Sequence, residues 1–192
     1  MVMEINECDL GGLFKIELTP FADNRGSFSR TYCAREFAKA GINLSIVQSN
    51  WSVNNRRGTL RGLHYQAPCD AEVGFSVGEG KVVQCIRGSI FDVVVDLRRN
   101  SPTFLHWQGF ELAERLGTLL YVPPGFAHGF QTLEDDTHVV YLMTEYYRPE
   151  LSAGCRWNDP CFGIDWPIAS PIISDKDRDY PDFRPESAPF FV

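Results

Sequence analysis

Arg61, His64 and Gln66 fall within the stretch Gly58-Thr59-Leu60-Arg61-Gly62-Leu63-His64-Tyr65-Gln66. Thr, Leu and Tyr alternate there around two glycines, which reads as a β-strand. A strand that only fills a core has little use for a histidine, an arginine and a glutamine. Histidine changes charge near neutral pH, so His64 is expected to be a proton carrier inside a β-barrel with a polar lining. Lys81 opens a second strand that reads as buried, where an ammonium out of water can stabilise developing negative charge. On the run 137–147, Val139, Tyr141, Met143, Glu145 and Tyr147 share one face, and two tyrosines with a glutamate suit a wet pocket. Gln48 and Asn50 share a face in the same way. Asp92 and Asp96 also share one, where one of them could orient a neighbour or either could cap a strand edge. His106 and His138 read as structural, His138 because alternation points it away from Tyr141.

The elements that must position these groups are mostly strands. Alternation predicts them at 11–18, 45–53, 58–66, 81–86, 90–97, 105–112, 118–122, 126–132 and 137–147, with Gly, Pro and Asn turns between. Asp23-Asn24-Arg25-Gly26 is a turn. One helix is expected over 33–40, closed by Gly41. The link 67–80 is glycine-rich and loop-like, and the Pro-rich, aromatic tail after Pro149 is expected to wrap the barrel. Many short strands with almost no helix mean an all-β sandwich or barrel. The 192 residues are expected to form one domain, 1–192.

Composition narrows the function classes. A net charge of −7 with a pI near 5.1 argues against general nucleic-acid or anionic-membrane binding, though not against a local basic pocket. No apolar run is long enough to span a bilayer. The six cysteines form no CxxC pair and read as free thiols of a reducing compartment. A cytoplasmic protein is the expectation.

Gly117-x5-Pro123-x-Gly125-x2-His128 matches the second of two cupin signature motifs, except that Thr132 stands where asparagine is usual. A cupin is a small jelly-roll barrel with an internal pocket. Its usual metal site needs a His-x-His pair, a nearby glutamate and a later histidine. His64 is followed by Tyr65 and Gln66, so no metal is expected and His64 is left free for proton transfer.

Four blocks carry a wider resemblance. They are Arg57–Gln66, Phe91–Arg98 with Ser101-Pro102-Thr103, Pro124–Phe130, and Trp157-Asn158-Asp159-Pro160. From Gly12 to about Asp177 the chain resembles the dTDP-4-dehydrorhamnose 3,5-epimerase family. That resemblance implies a cofactor-independent, homodimeric cupin that acts on a nucleotide-diphosphate 4-keto-6-deoxy sugar and inverts C3, C5 or both. It implies His64 as base, Asp177 as the carboxylate that orients it, Lys81 as stabiliser of charge on O4, and Tyr141 as proton donor from the opposite face. It further implies that Arg25, Gln48, Asn50, Arg61, His128 and Tyr147 line the substrate site. Asp177 sits in Asp175-Lys176-Asp177-Arg178-Asp179, so Asp175 or Asp179 could take its role instead. Simple alternation also puts Arg61 opposite His64: either a bulge at Gly62 corrects this or Arg61 reaches another part of the site. Two departures from the family pattern lie near the implied sugar site. Arg30 stands in place of a glutamate, and a longer link ends in Gly78-Glu79-Gly80-Lys81, without the family's glutamine before the lysine.

Overall fold

The computed structural model describes residues 3–68 and 78–188. Most of the glycine-rich link, with Cys69, lies at 69–77, outside the described residues. In chain order the elements are β1 (Met3–Glu7), β2 (Phe14–Leu18), β3 (Phe21–Asp23), β4 (Gly26–Phe28), α1 (Ala34–Lys39), β5 (Gln48–Asn54), β6 (Leu60–Gln66) and β7 (Lys81–Arg87). They continue with β8 (Ser89–Asp96), β9 (Trp107–Ala113), β10 (Thr118–Val122), β11 (Phe126–Thr132), β12 (Thr137–Met143), β13 (Ser152–Gly154) and α2 (Asp175–Arg178).

Two antiparallel sheets face each other, in the orders β1-β2-β10-β7-β12-β5 and β13-β6-β11-β8-β9. This is the cupin-type jelly roll that the motif implied. Alternation explains why each strand can serve three layers. Val83, Cys85, Ile90, Val94, Leu120, Val122, Phe126, Phe130 and Val139 point inward and form the core between the sheets. Their neighbours point outward. Val93, Val95, Ala127 and Leu63 are covered by Cys155, Phe162, Trp166 and Phe183 of the tail. Ile16, Val82 and Leu119 are covered by Phe37 of α1. A helix of this length does not persist alone in water. Burial of the Phe37 ring, worth about 1.5–3 kcal/mol, holds it on the sheet.

The tail is also bound by its backbone. Ile172 bridges Thr59, Ile168 exchanges hydrogen bonds with the Gln131 side chain, and β13 adds a strand beside β6. Two differences from expectation have simple causes. β1 is an unanticipated strand that pairs with β2 and buries Met3. β12 ends at Met143 and does not reach residue 147, because Thr144 leaves the ladder to bond Gly80 through both its N–H and its hydroxyl. The alternation used for Glu145 and Tyr147 therefore fails there. Cys8, Cys33, Cys85, Cys155 and Cys161 are free thiols. Among the described residues no helix is long and apolar enough to cross a membrane.

Candidate active site

A cavity of about 530 Å³ opens between the two sheets. One wall is built by register. Gln48, Met143 and Lys81 lie side by side on β5, β12 and β7, and Asn50 and Tyr141 follow one step along. The facing wall belongs to the other sheet, where His64 of β6 is the direct partner of His128 on β11. Arg61 joins this wall because the pairing shifts between His128 and Phe130, which places Arg61 opposite Phe130. The shift falls at Gly62, whose φ is 134° and where a Cβ would lie 2.5 Å from the Gly129 Cα. Only glycine fits such an approach in that conformation. Of the two options the sequence left open for Arg61, the structure contains the bulge. Arg61 Nε donates to Asn54 Oδ1 at 2.8 Å, which holds the guanidinium at the cavity wall.

His64 Nε2 lies 2.8 Å from Asp177 Oδ1. An ionised carboxylate has no proton to give, so Nε2 is the donor and Nδ1 is left as the basic nitrogen. Asp177 Oδ2 accepts from the Gly62 N–H, and the Asp177 N–H donates to the capping hydroxyl of Ser174 at the start of α2. Burial works to raise the Asp177 carboxyl, but the His64 hydrogen bond and charge, with the Gly62 N–H, hold it below the usual carboxylate range. Asp175 and Asp179 instead pair with Arg178 in solvent, so of the three acidic residues only Asp177 meets His64.

A second pair sits deeper. His128 Nε2 is 2.8 Å from Asp92 Oδ2, and both side chains are almost fully buried. Asp92 is thus the aspartate that orients a neighbour. Asp96 anchors the following turn through Arg98, Ser101 and Thr103. The His128 ring stands edge-on to Tyr141 at 6.3 Å. Burial pushes the Tyr141 hydroxyl up, and the Asp92 charge adds to this, so the phenol keeps its proton at neutral pH. Among the described residues no group of three or more His, Cys, Asp or Glu is placed to hold a metal ion.

The cavity thus gathers His64, Lys81, Tyr141, Gln48, Asn50, Arg61, His128 and Tyr147, with Asp177 behind His64. Tyr147 arrives on the loop after β12, where its N–H donates to Gln48 Oε1. Arg25 is not among them. It lies on the exposed β3–β4 hairpin, paired with Asp23. Arg30 also lies outside the lining and pairs with Glu36 of α1. His138 packs against the exposed Trp51 ring and meets Asp136, away from the cavity. Sequence reasoning missed two charged lining residues. Lys176 was hidden in a charged run of the tail. Glu79 was noted only as part of the altered link, although it stands two residues before Lys81, with which it shares the cavity wall and an ion pair.

A jelly-roll cavity with a histidine–carboxylate pair on one wall and a protonated tyrosine on the other places the chain among enzymes of the cupin class. A family profile described as dTDP-4-dehydrorhamnose 3,5-epimerase matches residues 7–185. The epimerase of that name from Methanothermobacter thermautotrophicus is 42% identical over 91% of each chain, and the one from Shigella flexneri is 37% identical over 91% and 93%. Among solved structures, the dTDP-4-dehydrorhamnose 3,5-epimerase of Bacillus anthracis, with TDP and PPi bound, matches with a TM-score of 0.88 and 40% identity over 95% of this chain and 100% of that one. ChmJ, a 3'-monoepimerase from Streptomyces bikiniensis in complex with dTDP-quinovose, matches with a TM-score of 0.83 and 32% identity over 92% and 86%. The chain belongs to the dTDP-4-dehydrorhamnose 3,5-epimerase family.

Proposed function

We propose that this protein epimerises a nucleotide-diphosphate-linked 4-keto-6-deoxyhexose at C3 and C5, by removing and returning protons next to the C4 ketone. The observation that carries this reading is the placement of His64 and Tyr141 on opposite sheets across one cavity. A sugar ring between them meets a base on one face and an acid on the other.

In this reading His64 Nδ1 takes the proton from C3 or C5, and Asp177 stabilises the imidazolium that forms. The electrons left behind become an enolate with charge on O4, beside the Lys81 ammonium. Tyr141 then protonates the carbon from the opposite face and the centre is inverted. Solvent afterwards returns the histidine and tyrosine to their starting states. Gln48, Asn50, His128 and Tyr147 orient the sugar and base, and Arg61 meets the diphosphate. No cofactor enters these steps. The β3–β4 hairpin supports a homodimer: Phe21 and Phe28 are 63% and 65% exposed on it, beside Arg25, which its own cavity does not use. A second copy would bury these rings and receive Arg25 at its substrate site.

Epimerisation at a single centre is the second reading, favoured by the likeness to the 3'-monoepimerase. One experiment separates the two and tests both. The keto-sugar nucleotide is incubated in deuterated water and followed by NMR. Label at C3 and C5 with inversion supports the double epimerase, label at C3 alone the single one, and no label overturns the proposal. Tyr141→Phe is expected to exchange protons at His64 yet form inverted product about 10²-fold more slowly, the scale of a lost general acid.

A further inference from the structure

Lys81 and Glu79 form an ion pair at 2.9 Å, with side chains only 9% and 10% exposed, and both line the cavity. Apart from each other they have no polar partner among the described residues. An ammonium carries three donors and a carboxylate up to four acceptor sites, so most of the capacity of this pair is unspent. Burying two charges so incompletely is costly unless something else completes their hydrogen bonds. The backbone between them is held tightly. The Gly80 N–H donates to Thr144 Oγ1 at 2.8 Å, and its carbonyl accepts from the Thr144 N–H and hydroxyl. A Cβ at Gly80 would lie 3.1 Å from Pro124 Cδ and 3.2 Å from Thr144 Oγ1. The two side chains therefore leave a tightly held backbone toward one space. The other cations on the cavity, Arg61 and Lys176, have no carboxylate ion pair among the described residues and suit a phosphate.

A donor beside an acceptor recognises an acceptor beside a donor. The ketone oxygen of an α-hydroxyketone accepts, and the hydroxyl on the next carbon donates. Two such oxygens lie about one hydrogen-bond length apart, roughly 2.7–3 Å, as Lys81 and Glu79 do. We infer that Glu79 is a specificity-determining residue, which accepts the substrate's C3 hydroxyl while Lys81 donates to the C4 ketone. This rests on the epimerase reading above. It means that the protein selects 4-keto sugars that keep an oxygen at C3 and discriminates against their 3-deoxy counterparts.

The test compares two nucleotide-linked 4-keto-6-deoxy sugars, one with the C3 hydroxyl and one 3-deoxy, by deuterium exchange at C5, which both retain. Wild-type protein is expected to favour the hydroxylated sugar in kcat/KM by roughly 10–100-fold, the range of a hydrogen bond to a charged group. Glu79→Ala is expected to reduce that preference to within about threefold of unity, and Glu79→Gln, which keeps an acceptor but loses the charge, to an intermediate value. Should Glu79→Ala not fold, Glu79→Gln carries the same prediction at reduced size. Equal use of both sugars by the wild type, or an unchanged preference in the variants, overturns the inference while leaving the epimerase reading intact. A wild type that exchanges neither sugar overturns the epimerase reading itself.

Discussion

Among the described residues two histidine–aspartate pairs share a 2.8 Å contact, and they differ in almost everything else. His128 and Asp92 stand on neighbouring strands and are 5% and 0% exposed. His64 is 40% exposed, and its partner comes from a tail helix 113 residues further along the chain. The closed pair is set by sheet pairing, and both of its side chains are almost fully buried. The open pair has one nitrogen fixed by a carboxylate and the other free toward the cavity. In the epimerase reading proposed above, the open pair moves the proton and the closed pair holds a donor still.

The sharpest way to break this comparison is to delete the open histidine. His64→Ala is expected to lower the solvent-exchange rate by about 10³-fold or more, with a stability loss no larger than that of its hydrogen bond to Asp177, since a general base commonly contributes 10²–10⁴-fold. Exchange at the wild-type rate would remove His64 from the reaction.

The closed pair should fail in the opposite sense. Asp92→Ala leaves His128 buried without its acceptor, and losing one partner of a buried pair costs about 3–5 kcal/mol. Urea unfolding should show that loss as a lower midpoint. A midpoint within error of wild type would mean that the two pairs are energetically alike.

The smallest effect is a pH dependence that belongs to the open pair. The Asp177 carboxyl lies below its ordinary value when folded. Its contribution to stability is therefore fully present above the unfolded carboxylate value, near pH ~4, and is lost as pH falls through the lower folded value. Asp177→Asn has no such contribution to lose. The urea-derived stabilities of wild type and variant should differ at neutral pH by about 1.5–3 kcal/mol, the scale of a charge-assisted hydrogen bond, and converge in acid. A constant gap across that range would show that the carboxylate charge is not what holds α2 to β6.

Much of this was legible because strand alternation is a local property. Gln48 and Asn50 on one face, Tyr141 and Met143 on another, and Asp92 with Asp96 all followed from period two. The hairpin turn at Arg25 and the helix over Phe37 followed from their own residues. Legibility failed where a contact outside the element decided its course. Thr144 abandoned β12 for Gly80, so Tyr147 reaches the cavity by a loop and not by parity. Arg25 and Arg30 found Asp23 and Glu36 as partners instead of the cavity. Glu79 was readable as a neighbour of Lys81 by spacing, but its importance comes from their shared burial, which spacing does not reveal.

By itself, then, the sequence determined most of the strands, the alternation of their faces and the place of His64 on one of them. It could do so because side-chain period and turn chemistry are written in residues next to one another. Which of Asp175, Asp177 and Asp179 turns to His64 was decided only by the tertiary structure. The Ser174 cap starts α2 so that Asp177 faces β6, and the bulge at Gly62 offers an N–H to meet it. The same bulge brings Arg61 onto the wall of His64. These placements depend on how a tail lies against a sheet more than a hundred residues earlier, and no local pattern records that.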